Sequence, residues 1–449
     1  MNPAMLNLRS GTSWTLLSFG FGQGLRFLTN VVLTRLLAPE LFGIMLIFNA
    51  LRTGVELLTD LGIGQSLVQN PHAEEVEFRK TAWTLQWIRG VLLWLLASAC
   101  AIPAAIYYDI PELYAIIPVA SLAIPIFGFT SSARFIAQRR LNLRALAIYE
   151  IAIGLIGAAG QVALCYFFPT VWSLVFGLLF STFVGVAGSF FLLPDVKDGF
   201  LLSKRYLHQI AHFGKWIAVS SWMFFLAGHI DRLYLAGVIP MALLGVYGIS
   251  RTISEIMTQL ARKFGAMIVF PFFSANAHLP REQLRSLVSK HRNGFVQISA
   301  LVFGISAATV DLAIRFIFDE RYHAAALMTP ILIVGAWWTM LCALNTSALL
   351  GIGKPRYSAE ADAVKLIWLL VGLPLSIKGG IFVCIALIAA SDLIRYVYLS
   401  FRTAQEKLTF LTQDLTATAL MLLSVGAILL GRWLLGLAPA LDQMMLSFA

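Results

Sequence analysis

The length of its apolar runs constrains this chain more than any other feature. Segments such as 81–108, 145–168, 170–193 and 414–436 are continuous and almost free of charge. A helix needs about 20 apolar residues to cross a bilayer core. Barrel strands would show alternating segments of about ten. Thirteen candidate spans can be placed between residues 13 and 436, among them 13–36, 41–68, 111–133, 212–238 and 241–273. The stretch from Ala438 to Ala449 is too short for one more. Hydrophobic residues form 59% of the chain and charged residues 12%. A soluble domain is nearer half apolar and a quarter charged, so it could not hide this much apolar surface. The expected class is an all-α polytopic membrane protein.

A net charge of +10 on a soluble protein would suggest nucleic acid. Here the basic residues sit in alternate loops, as in Arg134, Arg139, Arg140 and Arg144, or Arg281, Arg285, Lys290 and Arg292. The intervening loops hold Arg35, Arg315, Arg321 and Lys378. The positive-inside rule then places the N-terminus in the cytoplasm, and no nucleic-acid partner is expected. The first span contains Arg26 and is too long for the apolar region of a signal peptide, so it should stay as a membrane helix. Cys100, Cys165, Cys342 and Cys384 lie in apolar segments without metal or disulfide spacing and read as core residues. No metal site is expected. Gly351-Ile352-Gly353-Lys354-Pro355 lacks the Ser or Thr of a phosphate loop and reads as a turn. With no nucleotide-hydrolysis motif, active transport would have to use a gradient of a coupling ion, H+ or Na+.

The chain also repeats itself. Arg52-Thr53-Gly54-Val55-Glu56-Leu57-Leu58-Thr59-Asp60-Leu61 returns as Arg251-Thr252-Ile253-Ser254-Glu255-Ile256-Met257-Thr258-Gln259-Leu260. The copies fall in the second and eighth spans. An even number of spans separates them, which makes this a parallel repeat. The expected organisation is an N-terminal six-helix lobe over 1–196, a C-terminal six-helix lobe over 197–405, and an extra C-terminal helix and tail over 406–449.

Charge inside a membrane is costly and marks function. At 1.5 Å per residue, Arg52 and Arg251 lie roughly 15 Å into their spans, and Arg26 roughly 20 Å into the first. Each arginine at such depth costs about 2.5–3.5 kcal/mol on the lenient insertion scale. Arg52–Glu56 and Arg251–Glu255 could neutralise each other as i,i+4 pairs. Arg26 has no acid four residues away in either direction. The other reading is a cationic cavity for a phosphate-bearing substrate, since the planar guanidinium fork suits phosphate oxygens. The intramembrane acids Glu56, Asp60, Asp231 and Glu255 are candidates for ion coupling or gating. Arg89, Arg262, Lys263, Lys365 and Arg395 lie nearer the span ends and read as snorkelling side chains. Gly20, Gly22 and Gly24 read as close packing or bending of the first helix.

Several stretches carry a family resemblance. Thr34-Arg35-Leu36-Leu37-Ala38-Pro39-Glu40-Leu41-Phe42-Gly43, followed by Asp60-Leu61-Gly62-Ile63-Gly64, resembles the opening of the bacterial polysaccharide transporter, or Wzx-type flippase, family. Gln138-Arg139-Arg140-Leu141-Asn142-Leu143-Arg144 with Glu150 resembles its loop between spans four and five. Asp231-Arg232-Leu233 and Leu244-Gly245-Val246-Tyr247 resemble the start of its second half. The resemblance implies the superfamily of multidrug exporters and lipid II flippases, with two pseudo-symmetric six-helix lobes around a central cavity and alternating access. It implies a substrate of undecaprenyl-diphosphate-linked oligosaccharide, carried to the periplasmic leaflet of the bacterial inner membrane for surface polysaccharide biosynthesis. Membrane lipids and the polysaccharide polymerase machinery are the implied partners, and no enzymatic step is implied. The lipid II flippases place arginines of spans one, two and eight around the diphosphate, the spans that hold Arg26, Arg52 and Arg251 here. A multidrug or small-molecule antiporter on the same fold is the alternative, disfavoured by the deep arginines. A membrane polymerase or acyltransferase would need a large external loop or a catalytic His/Asp motif, and the sequence has neither.

Overall fold

The computed structural model describes residues 3–58, 63–69, 71–140, 142–265, 269, 273, 279–354 and 356–437. Among them the chain is helical and no strand occurs. Contacts divide it into two compact units, Met1–Phe225 with Ala236–Met241, and Leu226–Leu235 with Ala242–Ala449.

The first unit begins with α1 (Pro3–Leu36), which stops just before Pro39 starts α2 (Pro39–Leu58). Proline suits a first helical position, where its missing N–H has no intrahelical partner to lose. A short α3 (Ile63–Gln69) follows. The next crossing is α4 (Val76–Ala99) continued by α5 (Ala101–Tyr108), which Asp109 closes in the left-handed region at φ 54°. The span expected over 111–133 is built from α6 (Leu113–Ser121), α7 (Ala123–Gly128) and α8 (Ala133–Arg139), with a bend of 53° before α8. Helices α9 (Leu143–Phe167) and α10 (Val171–Ser189) form an antiparallel pair, and α9 also packs on α1.

After α10 the chain lies along the start of α4 as a strap. Leu201 N–H donates to Thr84 Oγ1 at 3.0 Å and Ser203 N–H to Thr81 Oγ1 at 3.2 Å. The Tyr206 hydroxyl donates to Glu75 at 2.6 Å, and the Phe200 ring lies 4.9 Å from Trp83 and 5.4 Å from Trp87. Ser131 and Ser132 hydrogen-bond Asp198, and Arg140 bridges Glu74 at 3.0 Å and Asp195 at 2.6 Å. These ties carry the first unit past residue 196, through the first part of α11 (Lys204–Ala236). Arg140 hydrogen-bonds hold the Glu74 and Asp195 carboxyls below their ordinary range.

The second unit holds the end of α11, α12 (Met241–Phe264), α13 (Arg281–Ile317), α14 (Ala325–Gly351), α15 (Arg356–Ser376), α16 (Ile381–Gln405) and α17 (Leu411–Leu434). Gly353 (φ 79°) and Gly380 (φ 85°) make the turns on either side of α15. Its core gathers around Trp337, Phe303, Met340, Leu341 and Tyr396. Two buried ion pairs join α13 to α17, Arg292–Asp414 at 2.7 Å and Arg432–Asp311 at 2.7 Å. Arg292 and Asp414 both lie early, Asp311 and Arg432 both late, so α13 and α17 run side by side in the same direction. That is why the last helix belongs to this unit. At Gly304 an added Cβ would sit 2.8 Å from Met421 O, so the crossing needs glycine. Arg292, expected in a loop, is therefore a core residue.

Among the described residues, seven helices, counting α4 with α5 as one, are long and apolar enough to cross a membrane, or eight if the bent α6–α8 segment is one span. The charged functional candidates sit on other helices: Arg26 on α1, Arg52 and Glu56 on α2, Asp231 on α11, and Arg251 and Glu255 on α12.

Candidate functional site

In the first unit, Arg26 stands on α1 with its side chain exposed and no ion pair among the described residues. Gly20, Gly22 and Gly24 are exposed as well, and an added Cβ at any of them would meet nothing within 4 Å. Among the described residues nothing packs against these glycines.

On α2, Arg52 Nε donates to Glu56 Oε1 at 2.7 Å, and both side chains are partly exposed, at 22% and 35%. The i,i+4 pair therefore forms. It uses only the Nε edge of the guanidinium; Nη1 and Nη2 make no hydrogen bond among the described residues. Arg89, expected to snorkel, instead donates through Nη2 to the carbonyl of Glu56 and caps the same turn from α4. Gly54, between Arg52 and Glu56, lets the Phe225 ring sit against α2, 2.6 Å from where a Cβ would be. Asp60 lies outside the described residues.

In the second unit the structure brings Asp231, Arg251 and Glu255 together. Asp231 on α11 is 2% exposed and accepts from the Tyr247 hydroxyl. Arg251 Nε lies 3.4 Å from Asp231 Oδ2 and 3.7 Å from Glu255 Oε1. Again Nη1 and Nη2 make no hydrogen bond among the described residues. Glu255 is taken mainly by Arg232, whose Nη2 donates to Oε1. Asp231 Oδ1 is buried and accepts no hydrogen bond among the described residues.

Two more ion pairs stand on the α15–α16 hairpin of the same unit. Lys365 Nζ donates to Asp392 Oδ1 at 2.6 Å, and Arg395 Nε lies 2.9 Å from Asp362 Oδ1. Neither cation snorkels. Both are tied across the α15–α16 hairpin, and breaking such a buried pair costs about 3–5 kcal/mol. The sequence holds a signal for them. Asp362-x-x-Lys365 on one helix and Asp392-x-x-Arg395 on the next fall opposite each other when the hairpin is antiparallel.

Both units thus hold an arginine whose Nε edge faces carboxylate and whose forked end is unused. A guanidinium so oriented can receive two oxygens of a phosphate. The acid fixes the direction of the fork as well as lowering the cost of burying it.

Known proteins resemble this chain in both sequence and fold. The profile of the family described as "Polysaccharide biosynthesis protein" matches residues 32–327. The succinoglycan biosynthesis transport protein ExoT of Rhizobium meliloti (strain 1021) is 22% identical over 344 residues, 76% of this chain and 68% of that one. The lipopolysaccharide biosynthesis protein WzxC of Escherichia coli (strain K12) is 21% identical over 352 residues, 77% of this chain and 68% of that one. Among solved structures, the lipid II flippase MurJ in an inward closed conformation superposes with a TM-score of 0.70 at 11% identity, over 94% of this chain and 92% of that one. An inward-facing multidrug resistance MATE family transporter of the MOP superfamily gives 0.63 at 13% identity, over 86% and 96%. The fold is the two-lobed, all-helical fold of those transporters. The chain belongs to the polysaccharide biosynthesis protein family, the Wzx-type polysaccharide transporter group that its motifs resemble.

Proposed function

We propose that this protein is a flippase that carries an oligosaccharide linked to undecaprenyl diphosphate from the cytoplasmic to the periplasmic leaflet of a bacterial inner membrane. The substrate supplies surface polysaccharide synthesis, and the protein makes and breaks no covalent bond. The observation that carries this reading is the orientation of Arg52 and Arg251. Each turns its Nε edge to an acid and leaves its fork open, in a place where an uncommitted arginine is costly. A diphosphate offers the oxygens such forks suit. Arg26 and Arg52 of the first unit and Arg251 of the second are the groups that would take them up.

Loop charge supports a cytoplasmic N-terminus, and access to the site would alternate between the two sides. Coupling to H+ or Na+ falls to the intramembrane acids Glu56, Asp60, Asp231 and Glu255. Among them Asp231 has a buried oxygen with no hydrogen-bond partner among the described residues. The family relationship and the named transport role of ExoT support this reading over that of a drug antiporter, as do the cations themselves.

The test replaces Arg26, Arg52 and Arg251 singly by Ala and measures surface-glycan export alongside protein level in the membrane. Loss of export at normal level is expected for Arg26→Ala and Arg52→Ala. Normal export from all three well-inserted variants would sink the diphosphate site.

A further inference from the structure

Among the described residues, the charge network around α12 has one cation more than its acids require. Arg232 is matched by Glu255, Arg251 by Asp231, Lys365 by Asp392 and Arg395 by Asp362. Arg262 is left over. It stands on α12 and is accessible, and among the described residues it makes no ion pair. Its one hydrogen bond there runs from Nη2 to Thr258 Oγ1 at 3.2 Å.

Position adds to this. Arg262 follows Arg251 by eleven residues, close to three helical turns, so both lie on one face of α12 about 16 Å apart. Glu255 and Thr258 fill the face between them. Arg262 lies in the last turn of α12, at the end that the loop charges assign to the cytoplasm. A cation that balances no buried acid costs free energy in or near a membrane unless an anion from outside the protein meets it. Its Nε and Nη1 make no hydrogen bond among the described residues, and each can donate to a phosphate oxygen.

We propose that Arg262 is a capture site for the diphosphate of the substrate as it enters from the cytoplasmic leaflet, separate from the deeper Arg251. This rests on the flippase reading above. The same chemistry would also suit the phosphate of an ordinary phospholipid, so the test must separate the two.

The full-length protein, purified in detergent, is titrated with geranylgeranyl diphosphate, with phosphatidylglycerol and inorganic pyrophosphate as competitors. The wild type should bind the prenyl diphosphate, and phosphatidylglycerol should displace it poorly. Arg262→Ala should weaken binding about tenfold with an unchanged thermal midpoint, and Arg262→Lys should recover part of the loss. Equal affinity in wild type and Arg262→Ala overturns the capture role. So does displacement by phosphatidylglycerol as effective as by unlabelled prenyl diphosphate, which would make Arg262 a bulk-lipid contact. A lowered midpoint in both Arg262→Ala and Arg262→Gln would make it structural, and overturns the role too. If the wild type binds no prenyl diphosphate, the flippase reading itself fails, a result distinct from all of these.

Discussion

The two copies of the Arg-x-x-x-Glu turn share their local chemistry and differ in their surroundings. On α2, Arg52 and Glu56 hold each other at 2.7 Å, partly exposed. On α12, Arg251 and Glu255 are drawn apart to 3.7 Å because each has acquired a partner from α11, Asp231 for the arginine and Arg232 for the glutamate. That helix also carries Arg262 on the same face, where the first copy has Ile63. An i,i+4 pair therefore settles which way an arginine points. Neighbouring helices settle whether the arginine also holds the fold together. The first copy leaves its arginine partly exposed, whereas the second ties its arginine into a buried network.

The comparison can be broken at several places. The largest effect is expected from Asp231→Ala. It removes a carboxylate 2% exposed and leaves Arg251 facing only a glutamate already taken by Arg232. A loss of about 3–5 kcal/mol should show as a large fall in thermal midpoint and membrane level. The matching change in the first copy, Glu56→Ala, breaks a part-exposed pair and should cost less than about 1 kcal/mol. If both variants melt alike, the division of roles between the copies is wrong. Next comes Tyr247→Phe, which deletes one hydrogen bond to Asp231 and should cost about 1–3 kcal/mol while leaving Arg52-dependent export intact.

The smallest effect concerns the strap of the first unit. Glu74 and Asp195 ionise more readily than ordinary carboxylates because Arg140 hydrogen-bonds them. Their contribution is present at neutral pH and is lost as pH falls through their lowered values. Proteolysis within 194–203 should therefore quicken on acidification. In Arg140→Ala that pH dependence should disappear.

The membrane class was legible because a bilayer fixes the length of an apolar run, and the second and eighth helices were legible because their turns repeat. The partners of Arg251 and Glu255 were not, since Asp231 and Arg232 lie about twenty residues away on another helix and only packing joins them. Lys365 and Arg395 read as snorkelling because depth along a span says nothing about what stands across it. The Asp-x-x-Lys and Asp-x-x-Arg spacing was the signal that could have corrected this. Arg292 sits at the end of a basic loop run, and nothing local marks it as the buried partner of Asp414. For Gly20, Gly22 and Gly24 the sequence reveals only the missing side chains, not whether a neighbouring helix fills the space they leave.

The central claim is that Arg52 acts through the open fork of its guanidinium and not through charge alone. The most direct measurement is surface-glycan export by Arg52→Lys, set against its membrane level and thermal midpoint. Lysine keeps the charge but cannot turn one edge to Glu56 while presenting two parallel donors. The expected result is a folded, well-inserted protein with export close to that of Arg52→Ala. Full export by Arg52→Lys would contradict the account.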